Sequence, residues 1–183
     1  CRRTWEPTES LGLEYYIREA EKATPFTSII DPDHPSFLAP GDMPSRIREY
    51  CDETHQMRPG STGQMIRVVY ESLALKYRVV LEQLIALTGR TVECLHVIGG
   101  GSQNALLCQM TADSTGVPVI AGPVEATTLG NAIVQLISMG LIEDVNQARE
   151  TLASSLNVVT YYPENHESWN EGYQFLKSLM HTE

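Results

Sequence analysis

The sequence predicts an α/β fold, with helices layered on a short sheet in its second half and a helix-and-loop region before it. Three observations carry this. Two apolar runs of strand length, Cys94-Leu95-His96-Val97-Ile98 and Val117-Pro118-Val119-Ile120-Ala121, each stop at glycine. A helical stretch with Leu106, Leu107 and Met110 separates them, which is the alternation of a helix-covered sheet. Upstream, Ser61 to Leu87 places Met65, Val68, Leu75, Val79 and Leu84 mostly at helical spacing, the pattern of a long core-lining helix.

The remaining elements follow in chain order. Residues 8 to 23 read as a helix opened by the polar Thr8-Glu9-Ser10. Phe26 to Pro44 is rich in turn residues, and its prolines predict a fixed surface loop. A short helix is expected over Ser45 to Thr54, then a break at Arg58-Pro59-Gly60. Ser61 or Thr62 caps the long helix and Gly89 ends it. Cys94 to Ile98 reads as a buried strand with His96 a hydrogen-bonded core histidine. Ser102 is expected to cap the next helix, which runs to Gly116. After the second strand, Gly122-Pro123-Val124-Glu125 is a turn, and Thr127 or Thr128 opens a helix through Met139. Gly130 and Ala132 in it predict tight packing on another element. Asp144 to Ser154 and Glu167 to Met180 are further helices, and Val158 to Tyr162 is either an edge strand or an extended arm. Tyr161, Tyr162, Trp169 and Tyr173 are expected to pack on the last helix. The organisation is one domain, divided into a helix/loop segment (1–60), an α/β core (61–140) and C-terminal helices (141–183). The sequence does not begin with Met, and its first residues resemble a helix cut in the middle, so it reads as a fragment.

Composition narrows the partners. At 183 residues the chain can bury a real core. Its formal net charge of −10 repels nucleic acid and anionic membranes at long range. That charge does not exclude ATP, because phosphates are held by local backbone donors. No apolar run has the length of a membrane helix and no signal peptide is visible, so the expected setting is cytoplasmic. Cys1, Cys51, Cys94 and Cys108 form no metal-ligand spacing and read as idle thiols. Asp31, Asp33, His34 and Asp42 lie between prolines and lack the rhythm of a calcium loop, so no metal site is expected.

The chemistry concentrates at Gly99-Gly100-Gly101-Ser102-Gln103-Asn104. Three glycines between a strand and a helix allow a close approach of backbone or ligand. A helix start adds unpaired N–H groups and a positive dipole end, which suits a phosphate. Asn104 in the first turn is placed to reach a base or phosphate. From this pattern alone, a nucleotide corner and a turn that binds nothing both stand. A P-loop fails because no Lys follows the glycines. A dinucleotide fingerprint is weak, since Asn104 occupies its last glycine position and no acid ends the next strand. A serine-nucleophile elbow misses its last glycine. Glu125 is either a functional acid or a first-turn residue favoured by the helix dipole.

His96 to Asn104, Gln109 to Val119 and Ala121 to Asn131 together resemble the C-terminal domain of the FGGY carbohydrate kinases, and the last stretch is most similar to members that act on L-rhamnulose. Phe37 to Pro44, Glu71 to Tyr77 and Cys1 to Trp5 also fit, so the resemblance covers nearly the whole chain. It implies a ribonuclease H-like fold, part of an actin-like, hexokinase-type ATPase whose active site lies between two domains. It implies transfer of the γ-phosphoryl group of MgATP to the 1-hydroxyl of L-rhamnulose, with fuculokinase- or xylulokinase-type chemistry, or a non-catalytic nucleotide-binding module, as alternatives. The family's catalytic Asp, its other phosphate loop and its sugar-binding residues belong to upstream segments absent here, so no catalytic residue is named and the chain alone is expected to be inert. Gly100 matches the family's ATP-contacting glycine, Asn104 an adenine or α-phosphate contact, and Gly99 and Gly101 shape the turn. Some members carry a disulfide; Cys51 has no evident partner for one.

Overall fold

A computed structural model describes residues 1–5, 12–149 and 158–180. A four-residue helical turn, α1 (Arg2–Trp5), precedes α2 (Leu13–Lys22). The expected polar cap at 8–10 lies outside the described residues; Gly12 stands before α2 and offers no side-chain cap. Helix α3 (Met43–Glu53) starts earlier than expected. Pro44 sits in its first turn, where its missing N–H costs nothing, and Asp42 caps it by accepting from Ser45 N at 3.4 Å. The preceding loop is held by Arg46, whose guanidinium donates to the carbonyls of Ser36, Ala39 and Pro40. Asp31 and Asp33 both pair with Lys76, at 2.8 and 2.9 Å. Among the described residues no three His, Cys, Asp or Glu side chains gather as a metal cluster.

Helix α4 (Thr62–Thr88) is the spine. Ser61 caps it by accepting from Gln64 N at 3.2 Å, and Gly89 closes it in the left-handed conformation (φ +64°). Its buried residues serve three clusters, in one of which Ile66 packs with Tyr16 and Ala20 of α2. Ala74, Leu75 and Val79 pack with Ile29, Met110, Trp169, Tyr173 and Leu176. Met65 and Val68 pack with Ile30, Ile47, Tyr50 and Cys51. No described helix is long and apolar enough to cross a membrane.

The sheet has three strands in the order β1 (Leu95–Val97), β2 (Val119–Ala121), β3 (Val159–Tyr161). β1 and β2 run parallel, with Leu95 opposite Val119, and the crossover between them is α5 (Ala105–Thr115). β3 pairs antiparallel to β2, with Tyr161 opposite Val119, so the segment is an edge strand rather than an arm. Helix α6 (Ala126–Ser138) follows β2, residues 145–149 are helical, and α7 (Asn170–Met180) closes the chain after a 3₁₀ turn at His166–Trp169. The rest of the helix expected to end at Ser154 lies outside the described residues. α7 is pinned to α4 where Tyr173 donates to Glu82 and Arg78 lies over its ring at 4.1 Å. Burial and the bond to Glu82 push the Tyr173 phenol up to about 12.

Several patterns misjudged burial. β1 is only half-buried, and His96 is exposed, with Cys94 Sγ 3.6 Å from its ring. α6 buries none of its residues, and a Cβ built on Gly130 meets open space. Trp169 and Tyr173 are in the core, but Tyr162 is 65% exposed and Tyr161 packs on the sheet cluster. The four cysteines form no disulfide among the described residues, and Cys51 and Cys108 are buried.

One ionic contact ties α2 and the Phe26 loop to the spine. Glu71, 1% exposed, accepts from Phe26 N at 2.8 Å and from Arg67 Nε at 2.7 Å; Arg67 also donates to Ala20 O at 3.0 Å. Burial lifts the Glu71 carboxyl above its usual range, against the pull of these donors. Arg67→Met leaves that carboxyl buried without its counter-charge and is expected to cost about 3 kcal/mol or more, read by denaturant unfolding. α2 and α4 come close at Gly63, where a Cβ would run into the backbone carbonyl of Glu19. Gly63→Ala must push the helices apart, with an expected loss of about 1–3 kcal/mol in the same measurement.

Candidate nucleotide-binding site

The glycine turn is built by two neighbouring corners strapped together. β1 ends at Val97, whose carbonyl accepts from Gly122 N at 2.9 Å. Gly99 N in turn donates to Pro123 O at 3.0 Å. The chain emerging from β1 is thereby fixed against the chain emerging from β2. Gly99 takes φ +72°, a conformation that side-chain-bearing residues rarely adopt. From Gly99 to Gln103 the backbone forms a 3₁₀ turn, closed by Ser102 Oγ donating to Gly99 O at 2.7 Å.

The α-helix starts one step later than the sequence suggests. Ser102 belongs to the turn; the cap of α5 is Asn104, whose Oδ1 accepts from Leu107 N at 3.1 Å. Asn104 is 6% exposed.

The turn faces outward. Gly100 and Gly101 are exposed and Gly99 is half-buried. A Cβ built on Gly100 meets nothing within 4 Å, and one on Gly101 meets only Val97 Cγ1 at 3.7 Å. No acidic side chain stands in the first turn of α5, of the 3₁₀ segment or of α6. An anion placed there would meet the positive end of the α5 dipole, with Glu125 on the neighbouring corner as an acidic group it must share the surface with. Glu125 is exposed just ahead of α6; it caps no backbone N–H and lies 3.4 Å from Thr128 Oγ1. The structure thus groups Gly99, Gly100, Gly101 and Asn104 in one turn, three of them at the surface or near it and the fourth beneath.

Residues 4–139 match the family model described as the C-terminal domain of the FGGY family of carbohydrate kinases. The chain belongs to this family. It is 46% identical over 180 residues to a rhamnulokinase of Bacteroides thetaiotaomicron, covering 98% of this chain and 36% of that protein. It is 46% identical over 144 residues to the rhamnulokinase of Enterococcus faecalis, covering 78% and 29%, and 35% identical over 154 residues to that of Bacillus subtilis, covering 84% and 32%. The chain spans about a third of the length of the curated relatives it matches. Among solved structures it superimposes on a xylulose kinase from Rhodospirillum rubrum with a TM-score of 0.62 at 18% identity, over 92% of this chain and 33% of that one. A gluconate kinase from Lactobacillus acidophilus gives 0.59 at 16% identity, over 97% and 35%. The fold is therefore the C-terminal α/β domain of these actin-like sugar kinases.

The cap assignment has a direct check in nucleotide-free protein. Asn104→Ala is expected to lower stability by about 1 kcal/mol, while Ser102→Ala, which leaves the cap in place, costs less. A thermal or denaturant melt of the two variants gives the order.

Proposed function

We propose that this chain is the nucleotide-binding part of a ketose kinase that transfers the γ-phosphoryl group of MgATP to the 1-hydroxyl of L-rhamnulose in the cytoplasm. The observation that carries the nucleotide half is Gly100. It is exposed, its φ lies outside the left-handed region, and a side chain there would meet no atom of this chain. A glycine in such a place costs backbone entropy without any internal steric reason. The space beside it suits a ligand that must touch backbone. Gly99, Gly100 and Gly101 would hold ATP, with Asn104 below them. MgATP supplies the transferable group and the charge neutralisation; this chain's residues bind and orient it. The L-rhamnulose half is supported by the relatives named rhamnulokinase, at 35–46% identity.

Other surfaces support a domain completed by further chain. An apolar groove of about 490 Å³ runs between the second half of α4 and β1, lined by Leu73, Tyr77, Val80 and Leu84 beside His96. On α6, Val134 is 65% exposed, and Met139 just after it 70%. In this proposal the residues that activate the sugar hydroxyl lie in that further chain, together with most sugar contacts.

Gly100→Val in the full-length protein is expected to raise the KM for ATP about tenfold or more, because its branched side chain enters the nucleotide's place. Its melting temperature should not fall, since a Cβ at this position meets open space. Unchanged ATP kinetics in that folded variant would remove the site. Parallel assays with L-rhamnulose, L-fuculose and D-xylulose decide the sugar, and the 183 residues alone should phosphorylate none of them.

A further inference from the structure

The helix layer of the α/β core is wider than the sheet it covers. α5 lies across one face of the sheet: Cys108 and Ala112 pack with Val119 and Ala121 of β2 and with Leu95 and Val97 of β1. α4 lies beside α5, joined to it through Leu75, Val79 and Met110. α4 also turns a second apolar stripe outward. Tyr77, Val80, Leu84 and Leu87 follow one another at three or four residues, so they share one side of the helix, and all four are exposed. Three of them line the apolar groove beside β1. The acid and the ammonium that line it, Asp33 and Lys76, are already paired at 2.9 Å, so neither calls for an ionic ligand.

The groove touches Leu95, His96 and Val97, three consecutive residues of β1, and none of β2. It therefore runs along the edge of β1 and not over a face. That edge is open among the described residues, because the sheet order is β1-β2-β3. Leu95 N donates to Pro118 O at 2.8 Å, and Val97 O accepts from Gly122 N at 2.9 Å. In a parallel ladder alternate residues bond the same neighbour, so the N–H and C=O of His96 point the other way, out of the sheet. An edge left to solvent is normally blunted by lysine, proline, a bulge or shortness. Leu95-His96-Val97 holds no lysine, proline or bulge, and β1 is no shorter than the central strand β2. An open edge beside an uncovered apolar helix face is the place of one more strand.

This chain spans about a third of the length of the relatives it matches, so a full-length protein has ample further chain to supply that strand. We infer that a segment of the full-length protein outside these 183 residues lies extended in the groove, pairs with the backbone of His96, and sets apolar side chains on Tyr77, Val80 and Leu84. This rests on the reading of a domain completed by further chain, and is independent of the nucleotide assignment of the glycine turn.

The test is hydrogen exchange at the His96 amide in the full-length protein. The expected result is exchange about a thousandfold or more slower than an unstructured amide, because the N–H is bonded and covered. Leu84→Ser, which withdraws apolar contact from the covering segment and touches no bond of β1, should speed that exchange about tenfold or more. Tyr77→p-benzoylphenylalanine identifies the occupant: irradiation should cross-link it to the same polypeptide, outside residues 1–183. A His96 amide that exchanges at the unstructured rate overturns the proposal. So does a cross-link to a second copy or within residues 1–183. If His96 exchanges freely while the cross-link still reaches the further chain, the domain is completed there but not by a strand. Neither readout depends on ATP, so a silent Gly100→Val variant removes the nucleotide site and leaves this pairing standing.

Discussion

The packing of α5 on α4 is the constraint from which the glycine turn takes its place. Met110 of α5 lies among Ala74, Leu75 and Val79 of α4, and Trp169, Tyr173 and Leu176 close the cluster from the C-terminal side. Each large apolar side chain buried there is worth about 1.5–3 kcal/mol, against about 1 kcal/mol for a helix cap. Packing therefore decides where α5 lies, and the cap decides only where it begins. Once α5 is seated, the turn that precedes it has little freedom left. Its other end is already strapped to the corner at Gly122 and Pro123.

This division of labour explains what was legible in the sequence. Both ends of α4 could be read, because Ser61 and Gly89 act on backbone groups of their own neighbours. The start of α5 could not. Serine is a good cap, but the Ser102 hydroxyl turns back to Gly99 O and closes the 3₁₀ turn. The α-helix begins at Asn104, the next residue able to cap. Burial misled more than local geometry did. The apolar character of β1 and the small residues of α6 say which faces seek a partner, not whether this chain supplies one. His96 and Gly130 were expected to be packed and are open.

Charge works on two scales in this molecule. The net −10 would seem to oppose a polyphosphate. At physiological ionic strength, however, exposed charges are screened over about 8 Å, so the nearest groups decide. At the turn itself these are backbone amides, and the first turns of the 3₁₀ segment and of α5 hold no carboxylate; Glu125 stands on the neighbouring corner, ahead of α6. Of the buried carboxylates, Glu71 is neutralised by Arg67, while Asp113 accepts from Gln109 Nε2 and Glu164 N; half-buried Asp31 pairs with Lys76, whose ammonium is held above its usual pKa by Asp31 and Asp33 although burial works against it.

The three glycines are not equivalent, and the difference separates structure from function. Gly99 is needed by the backbone, since φ +72° strains any side-chain-bearing residue. Gly101 would tolerate a methyl group, which would sit at ordinary contact distance from Val97. Gly100 is required by neither torsion nor neighbour. If the turn served only to join β1 to α5, an alanine at that position would be the more stable choice, because it restricts the unfolded chain at no cost to the folded one. Glycine at 100 therefore points away from the fold and toward whatever must lie against the bare backbone at the foot of α5.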